Sequence, residues 1–226
     1  MPKTPDVDFT SPSAQFFFDL SQDLYFRKDA RNYINRLSIK DLNTLGRTSL
    51  LDIYLDTGNV VEPHIHQNAS ELVYVIVGSA VISLINPFTN ELLNFPAGPG
   101  QVVNIPQGWW HYEVASTDGT HLLAIFDSPV PEAIFGSDIL RLTPPGVWAH
   151  TYGLNQAQVS AALAPITGTT IIGPPLPGQQ TTTPMPYVPY GAAPRQPVQA
   201  EQAAHYQRPA YPSPYLPQGY GWPYSY

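Results

Sequence analysis

The chain of 226 residues contains no cysteine. That excludes a disulfide framework, a thiolate metal site and a cysteine nucleophile, so any metal must be held by imidazole and carboxylate groups. Basic charge is scarce as well: 10 Lys and Arg stand against 17 Asp and Glu, a formal net charge of -7. This is the wrong sign for gripping a phosphate backbone, and nucleic acid is not an expected partner. No apolar run approaches the roughly 20 residues of a membrane-spanning helix. Residues 1–15 carry Lys3 but no apolar stretch of the kind a secretory signal needs. The expectation is a soluble protein made in the cytosol. A Gly-rich phosphate loop, a nucleophile elbow and a basic aromatic stripe are also absent.

Proline and tyrosine are abundant, at 26 and 14 residues, and unevenly placed. Residues 174–226 hold 13 of the Pro and 8 of the Tyr but only three charged side chains, Arg195, Glu201 and Arg208. Such a segment has too little aliphatic content for a core and too much Pro for helix or sheet, so it reads as a disordered Pro/Tyr/Gln-rich tail. A tail with so little charge suits assembly with other proteins better than solubilisation. Residues 1–173, with 8 basic and 16 acidic side chains, suffice for one domain with a sizeable core. The expected organisation is an N-terminal arm and flanking strands over 1–49, a barrel core over 50–127, a lid-like loop and C-terminal helices over 128–173, and the tail over 174–226.

From Leu50 to Phe126 the pattern is one of short strands divided by turn residues. Leu51, Ile53 and Leu55 alternate with Asp52, Tyr54 and Asp56, and Thr57-Gly58-Asn59 turns the chain. Leu72 to Val77 is apolar on both faces and meets Ala80 to Ile85 through Gly78-Ser79, a tight hairpin. Residues 102–105, 112–115 and 121–126 continue the series, which predicts an all-β sandwich or barrel. Phe16-Phe17-Phe18 predicts an additional strand and Ser38 to Leu45 a short helix capped by Ser38. Gly146 to Tyr152 and Val159 to Leu163 read as short helices, the second preceded by Asn155 with Gln158 in the spacing of a capping box. Helices trailing a small barrel point to a homo-oligomer.

Three of the six His lie in two spaced clusters: Gly58, His64, His66, Glu71 and Gly78, then Gly100, Pro106, Gly108 and His111. On a strand, residues i and i+2 share a face, so His64 and His66 present their imidazoles to one side. Glu71 is an odd number of residues beyond His66, so Gln67 to Ser70 must loop to return it to that side. His111 arrives on another strand after a Pro-x-Gly turn. Any one of these His alone would read as a surface or core residue. Three imidazoles and a carboxylate together form an N3O site for one divalent metal, with positions left for water or substrate. Glu113 shares the face of His111 and is either an orienting partner for an imidazole or a rim carboxylate. Trp109, Trp110 and Tyr112 are candidate pocket walls; His121 and His150 belong to no motif.

The two clusters resemble the paired motifs of the cupin superfamily, with Ala115 in place of the usual Asn at the end of the second. The run Glu62 to Glu71, together with Leu122 to Asp127 and Leu140 to Pro145, resembles one half of the bicupin oxalate decarboxylases, and germin-like and spherulin-type proteins are similar in kind. The resemblance implies a single cupin jelly-roll barrel, a double-stranded β-helix, with His64, His66, Glu71 and His111 as ligands and manganese, or else iron, as the metal. It implies an enzyme acting on a small carboxylate or related ligand. In that family an Arg three residues before the first ligand His holds the substrate carboxylate; here Val61 stands there, which argues against oxalate. The family's lid acid corresponds to Glu132, in a stretch stiffened by Pro129 and Pro131. The alternative is a structural cupin in which the tail directs assembly. Such tails look like those of spore-coat and surface-layer proteins, a possible destination for this chain.

Overall fold

The alternation of apolar and polar side chains along short segments requires each strand to bury one face, and two facing sheets satisfy that requirement. A computed structural model describes residues 8–176. The strands are β1 (Leu24–Arg27), β2 (Tyr33–Leu37), β3 (Ser49–Leu55), β4 (Val60–Ile65), β5 (Glu71–Val77), β6 (Ala80–Asn86), β7 (Glu91–Ala97), β8 (Val102–Ile105), β9 (His111–Ala115), β10 (Thr120–Phe126), β11 (Ile134–Phe135) and β12 (Ile172–Gly173). One antiparallel sheet runs β1-β2-β3-β10-β5-β8 and the other β11-β4-β9-β6-β7, with β12 also paired to β4. The expected all-β jelly roll is therefore the observed fold. Short helices α1 (Gly136–Leu142), α2 (Pro145–Tyr152) and α3 (Gln156–Leu163) follow it.

The core lies between the sheets. Ile53, Leu55, Val73, Val75, Ile82 and Leu122 are all at most 1% exposed, and burying a side chain of this size stabilises by about 1.5–3 kcal/mol. The hairpin between β5 and β6 turns at Gly78, whose φ is +76°. A Cβ there would lie 2.8 Å from Thr120 Cα, so only glycine satisfies both the turn and the close approach.

Local expectation fails at four places. Phe16 to Phe18 forms no strand; Phe16 stacks on Phe9 instead, at 6.2 Å, and Gln15 N–H is taken by Asn43 Oδ1 at 2.9 Å. Ser38 caps a single turn, accepting from Lys40 N–H at 3.2 Å, but no helix continues, and the Asn43 side chain donates to Ser13 O. Strand β7 lacks a visible alternation because it is an edge strand, exposed along most of its length, where Pro96 is tolerated. Helix α1 was not anticipated either. Helices α2 and α3 form where expected, with Pro145 in the first turn of α2 and Asn155 Oδ1 accepting from Gln158 N–H at 3.1 Å. The tail expected over 174–226 lies, from residue 177 on, outside the described residues.

Candidate metal centre

Strand β4 supplies the first imidazole through an irregularity. Its pairing with β9 matches Val61 with Glu113 and His64 with His111, and the register shifts between them, around Pro63. Proline has no N–H to give the ladder, so alternation breaks there. Val61 and His64, three residues apart, thereby line the same cavity. The strand ends at Ile65, His66 opens the loop of residues 66–70, and β5 begins at Glu71. The loop returns the carboxylate to the side of the imidazoles, as the odd spacing requires. His111 opens β9 across from His64.

One ligand atom from each of His64, His66, Glu71 and His111 lies within 4.8 Å of the others, and all four residues are buried. Each imidazole is held from behind by a main-chain carbonyl: His64 Nδ1–H donates to Glu62 O at 2.7 Å, His66 Nδ1–H to Glu132 O at 2.9 Å and His111 Nδ1–H to Trp109 O at 2.8 Å. A carbonyl only accepts, so all three Nδ1 atoms carry the proton and a neutral ring turns its Nε2 lone pair to the centre. The Nε2 atoms of His64 and His66 are 3.1 Å apart. Two lone pairs at that distance repel unless a cation or an extra proton lies among them. Glu71 Oε2 completes the set at 2.9 Å from His111 Nε2 and 3.3 Å from His66 Nε2.

The electrostatics agree with a cation site. Burial, reinforced by the neighbouring His111, holds His64 down to about 3, so it is a neutral donor. Burial would also lower His66, but the bonds and charge of Glu71 outweigh it and raise that imidazole. Burial alone would raise Glu71; an extra proton or a cation held between it and the Nε2 atoms of His111 and His66 instead keeps it well below the usual carboxylate range. The donor set of three nitrogens and one oxygen fits a divalent first-row metal.

The remaining expected residues are dispersed. Val61 is 6% exposed and lines the cavity beside His64 and His66. Glu113 is 1% exposed, and neither carboxylate oxygen has a hydrogen-bond partner. It does not orient His111, whose Nδ1 is already taken by Trp109 O. Burial, with Glu71 nearby, pushes Glu113 well above the usual range, so it is a neutral acid. Glu132 lies at the exposed rim; its carboxylate accepts from Gln67 Nε2 at 3.1 Å, while its carbonyl holds His66. Trp110 packs against Gly136, and Tyr112 alternates away from His111 and Glu113 along β9. Trp109 packs on the core, and His121 bonds to Asp52 at 2.5 Å, away from the metal centre.

Glu62 is a structural residue that the motif spacing did not single out. Its carboxylate accepts from Ser137 N and Oγ, both at 2.8 Å, and from the N–H groups of Thr170 and Ile171, at 3.0 and 2.8 Å. It fastens α1 and the segment before β12 to β4. The local sequence signal for it is a carboxylate set among Val60, Val61 and Pro63 near the start of the strand.

Fold and site together define a small β-barrel with a metal-capable N3O centre in its interior. The family model described as cupin matches residues 28–160, and the chain belongs to that family. A germin-like protein, subfamily 2 member 1, of Arabidopsis thaliana is 31% identical over 113 residues, 49% of this chain and 51% of that protein. A structure of the Bacillus subtilis oxalate decarboxylase concerned with its Mn(II) centres aligns with a TM-score of 0.62 at 23% identity, covering 79% of this chain and 50% of that one. Pumpkin seed globulin aligns with a TM-score of 0.58 at 20% identity, covering 64% of this chain and 39% of its own. The chain spans about half the length, or less, of the curated relatives it matches.

Proposed function

We propose that this protein is a metal-dependent cupin that binds one divalent ion per chain, manganese first and iron second, through His64, His66, Glu71 and His111, and acts on a small carboxylate or related oxygen ligand. The observation that carries the reading is the set of three Nε2 lone pairs and one carboxylate oxygen converging within 4.8 Å, each ring fixed in tautomer by a backbone carbonyl. A bound Mn or Fe ion would supply Lewis acidity and a one-electron couple. The chain's own part is to present the three Nε2 atoms, with a cation taking the place of any extra proton on His66, to keep Glu71 ionised, and to exclude bulk water with the segment 128–135. That segment is pinned by Asn68, which accepts from Glu132 N–H at 2.8 Å and donates to Val130 O at 3.0 Å. Glu132, at the rim, is the candidate proton donor. Oxalate is not the expected substrate, because Val61 cannot pair with a second carboxylate.

Elemental analysis of the purified protein should give about one Mn or Fe per chain, and His66→Ala should abolish it; full occupancy in that variant would overturn the assignment. A second reading, a structural cupin that keeps its metal for stability and assembles through its tail, is favoured by Val61 and by the likeness to a seed globulin. It expects metal without turnover in a screen of small carboxylic acids, and it is compatible with a homo-oligomer in a spore coat or surface layer.

A further inference from the structure

Beside the metal centre lies a cavity of about 430 Å³, within the range of small-molecule pockets, about 300–1,000 Å³. His64 and His66 border it. Its walls are otherwise carbon-rich: Ile34 and Leu51 come from the sheet of β2 and β3, Val61 from β4, Phe135 from β11, and Ile171 from the segment before β12. The Phe135 ring is 5.6 Å from that of His64, inclined at 30°, so an aromatic face lies next to the imidazole that borders the space.

Among the described residues the one Lys or Arg lining this space is already paired, and the other charged lining side chain, Glu132, is negative. Arg36 also lines it, but its Nε and Nη2 both donate to Asp23 Oδ2, at 3.2 and 3.1 Å. Glu132 accepts from Gln67. Glu113, across from Val61 in the β4–β9 pairing, does not line the space. A ligand with one anionic head can place that head at the ligand cluster. A second anionic group would enter a space walled mainly by hydrocarbon, beside the negative Glu132 and with Arg36 already paired to Asp23, which is unfavourable. At about 430 Å³ the cavity is also roomier than the six non-hydrogen atoms of oxalate would fill.

We infer that the cavity takes a monoanion with a two-oxygen chelating head and a compact apolar body, such as a 2-oxo acid bearing a phenyl-sized side chain. The head lies against His64 and His66 and the body between Val61, Phe135 and Ile171. This rests on the metal reading above for the head, and on the cavity alone for the body.

The test compares benzoylformate with oxalate, which share the chelating head and differ in that a phenyl ring replaces a carboxylate oxygen. Each is titrated calorimetrically into the full-length protein, once loaded with Mn(II) and once stripped with EDTA, and metal content is measured on the same samples. Benzoylformate should bind at least tenfold more tightly than oxalate in both forms, with the metal changing absolute affinity and not the order. Equal binding, tighter binding of oxalate, or no binding of benzoylformate to either form would overturn the inference. Val61→Arg, which fills the cavity and adds a guanidinium fork, should lower the preference at least tenfold, and an unchanged preference would also overturn it. The wild-type comparison decides even if that variant does not fold. Stoichiometric metal with no preference removes this inference and leaves the metal site; a preference without retained metal does the reverse.

Discussion

Glu113 shows how a single residue can oppose its surroundings. A carboxyl at 1% exposure with neither oxygen hydrogen-bonded is stable only when protonated. The unfolded chain ionises it near 4.5, whereas burial and the nearby Glu71 keep the folded one protonated well above that value. Its contribution is therefore intact below about pH 4.5 and is lost as pH rises towards the folded value. Glu113→Gln removes the proton uptake, so in urea denaturation the wild type should lose more stability between pH 5 and pH 8 than the variant does. Parallel pH profiles would show that Glu113 is ionised in the fold. Residue spacing places Glu113 on the face of His111, but only the three-dimensional contacts separate an orienting partner from an isolated acid. The deciding fact is that Trp109 O has taken the Nδ1 proton.

Among the elements, α1 and the segment before β12 depend on Glu62. Glu62→Ala leaves the Ser137 N–H, the Ser137 hydroxyl and the Ile171 N–H without their acceptor, while Thr170 N–H keeps Ser137 Oγ, at about 1–3 kcal/mol for each buried group. A loss of about 3 kcal/mol or more is expected in urea melts, with faster amide exchange confined to residues 134–173. A second contact on the same element gives an independent check. A Cβ on Gly136 would meet Pro63 O at 2.9 Å and Trp110 at 3.3 Å, so Gly136→Ala should destabilise by about 1–3 kcal/mol through overpacking. Because α1 begins beside Phe135, that variant should also weaken benzoylformate binding. The sequence announced α2 and α3 through Pro145 and Asn155. It did not announce α1, which lacks a side-chain cap and starts against β4 through tertiary contact.

For the whole molecule, the metal centre couples stability to acid. His64 accepts a proton near 6.5 in the unfolded chain but only near 3 in the fold, so acidification across that window favours unfolding. Glu71 acts in the same direction: its folded value is depressed, and its contribution is lost as pH falls below about 4.5. Below that point Glu113 is protonated in both states and drops out. Thermal melts of the chelator-treated protein should therefore fall steeply between about pH 4.5 and 3, and His64→Asn should flatten the profile; a wild-type Tm independent of pH there would contradict the burial argument. The sequence by itself determined an all-β sandwich or barrel and the metal-ligand candidates, because strand alternation and the spacing from Gly58 to Gly78 and from Gly100 to His111 are local constraints that the chain states directly; the jelly roll was implied by the resemblance of those spacings to the cupin motifs. Tertiary structure alone decided the rest. The proline bulge that turns Val61 inward with His64, the carbonyls that fix three tautomers, the Glu62 clamp and the walls supplied by Ile34, Leu51 and Ile171 all join residues distant in sequence. No local pattern encodes such contacts, because each depends on where two separate segments come to lie.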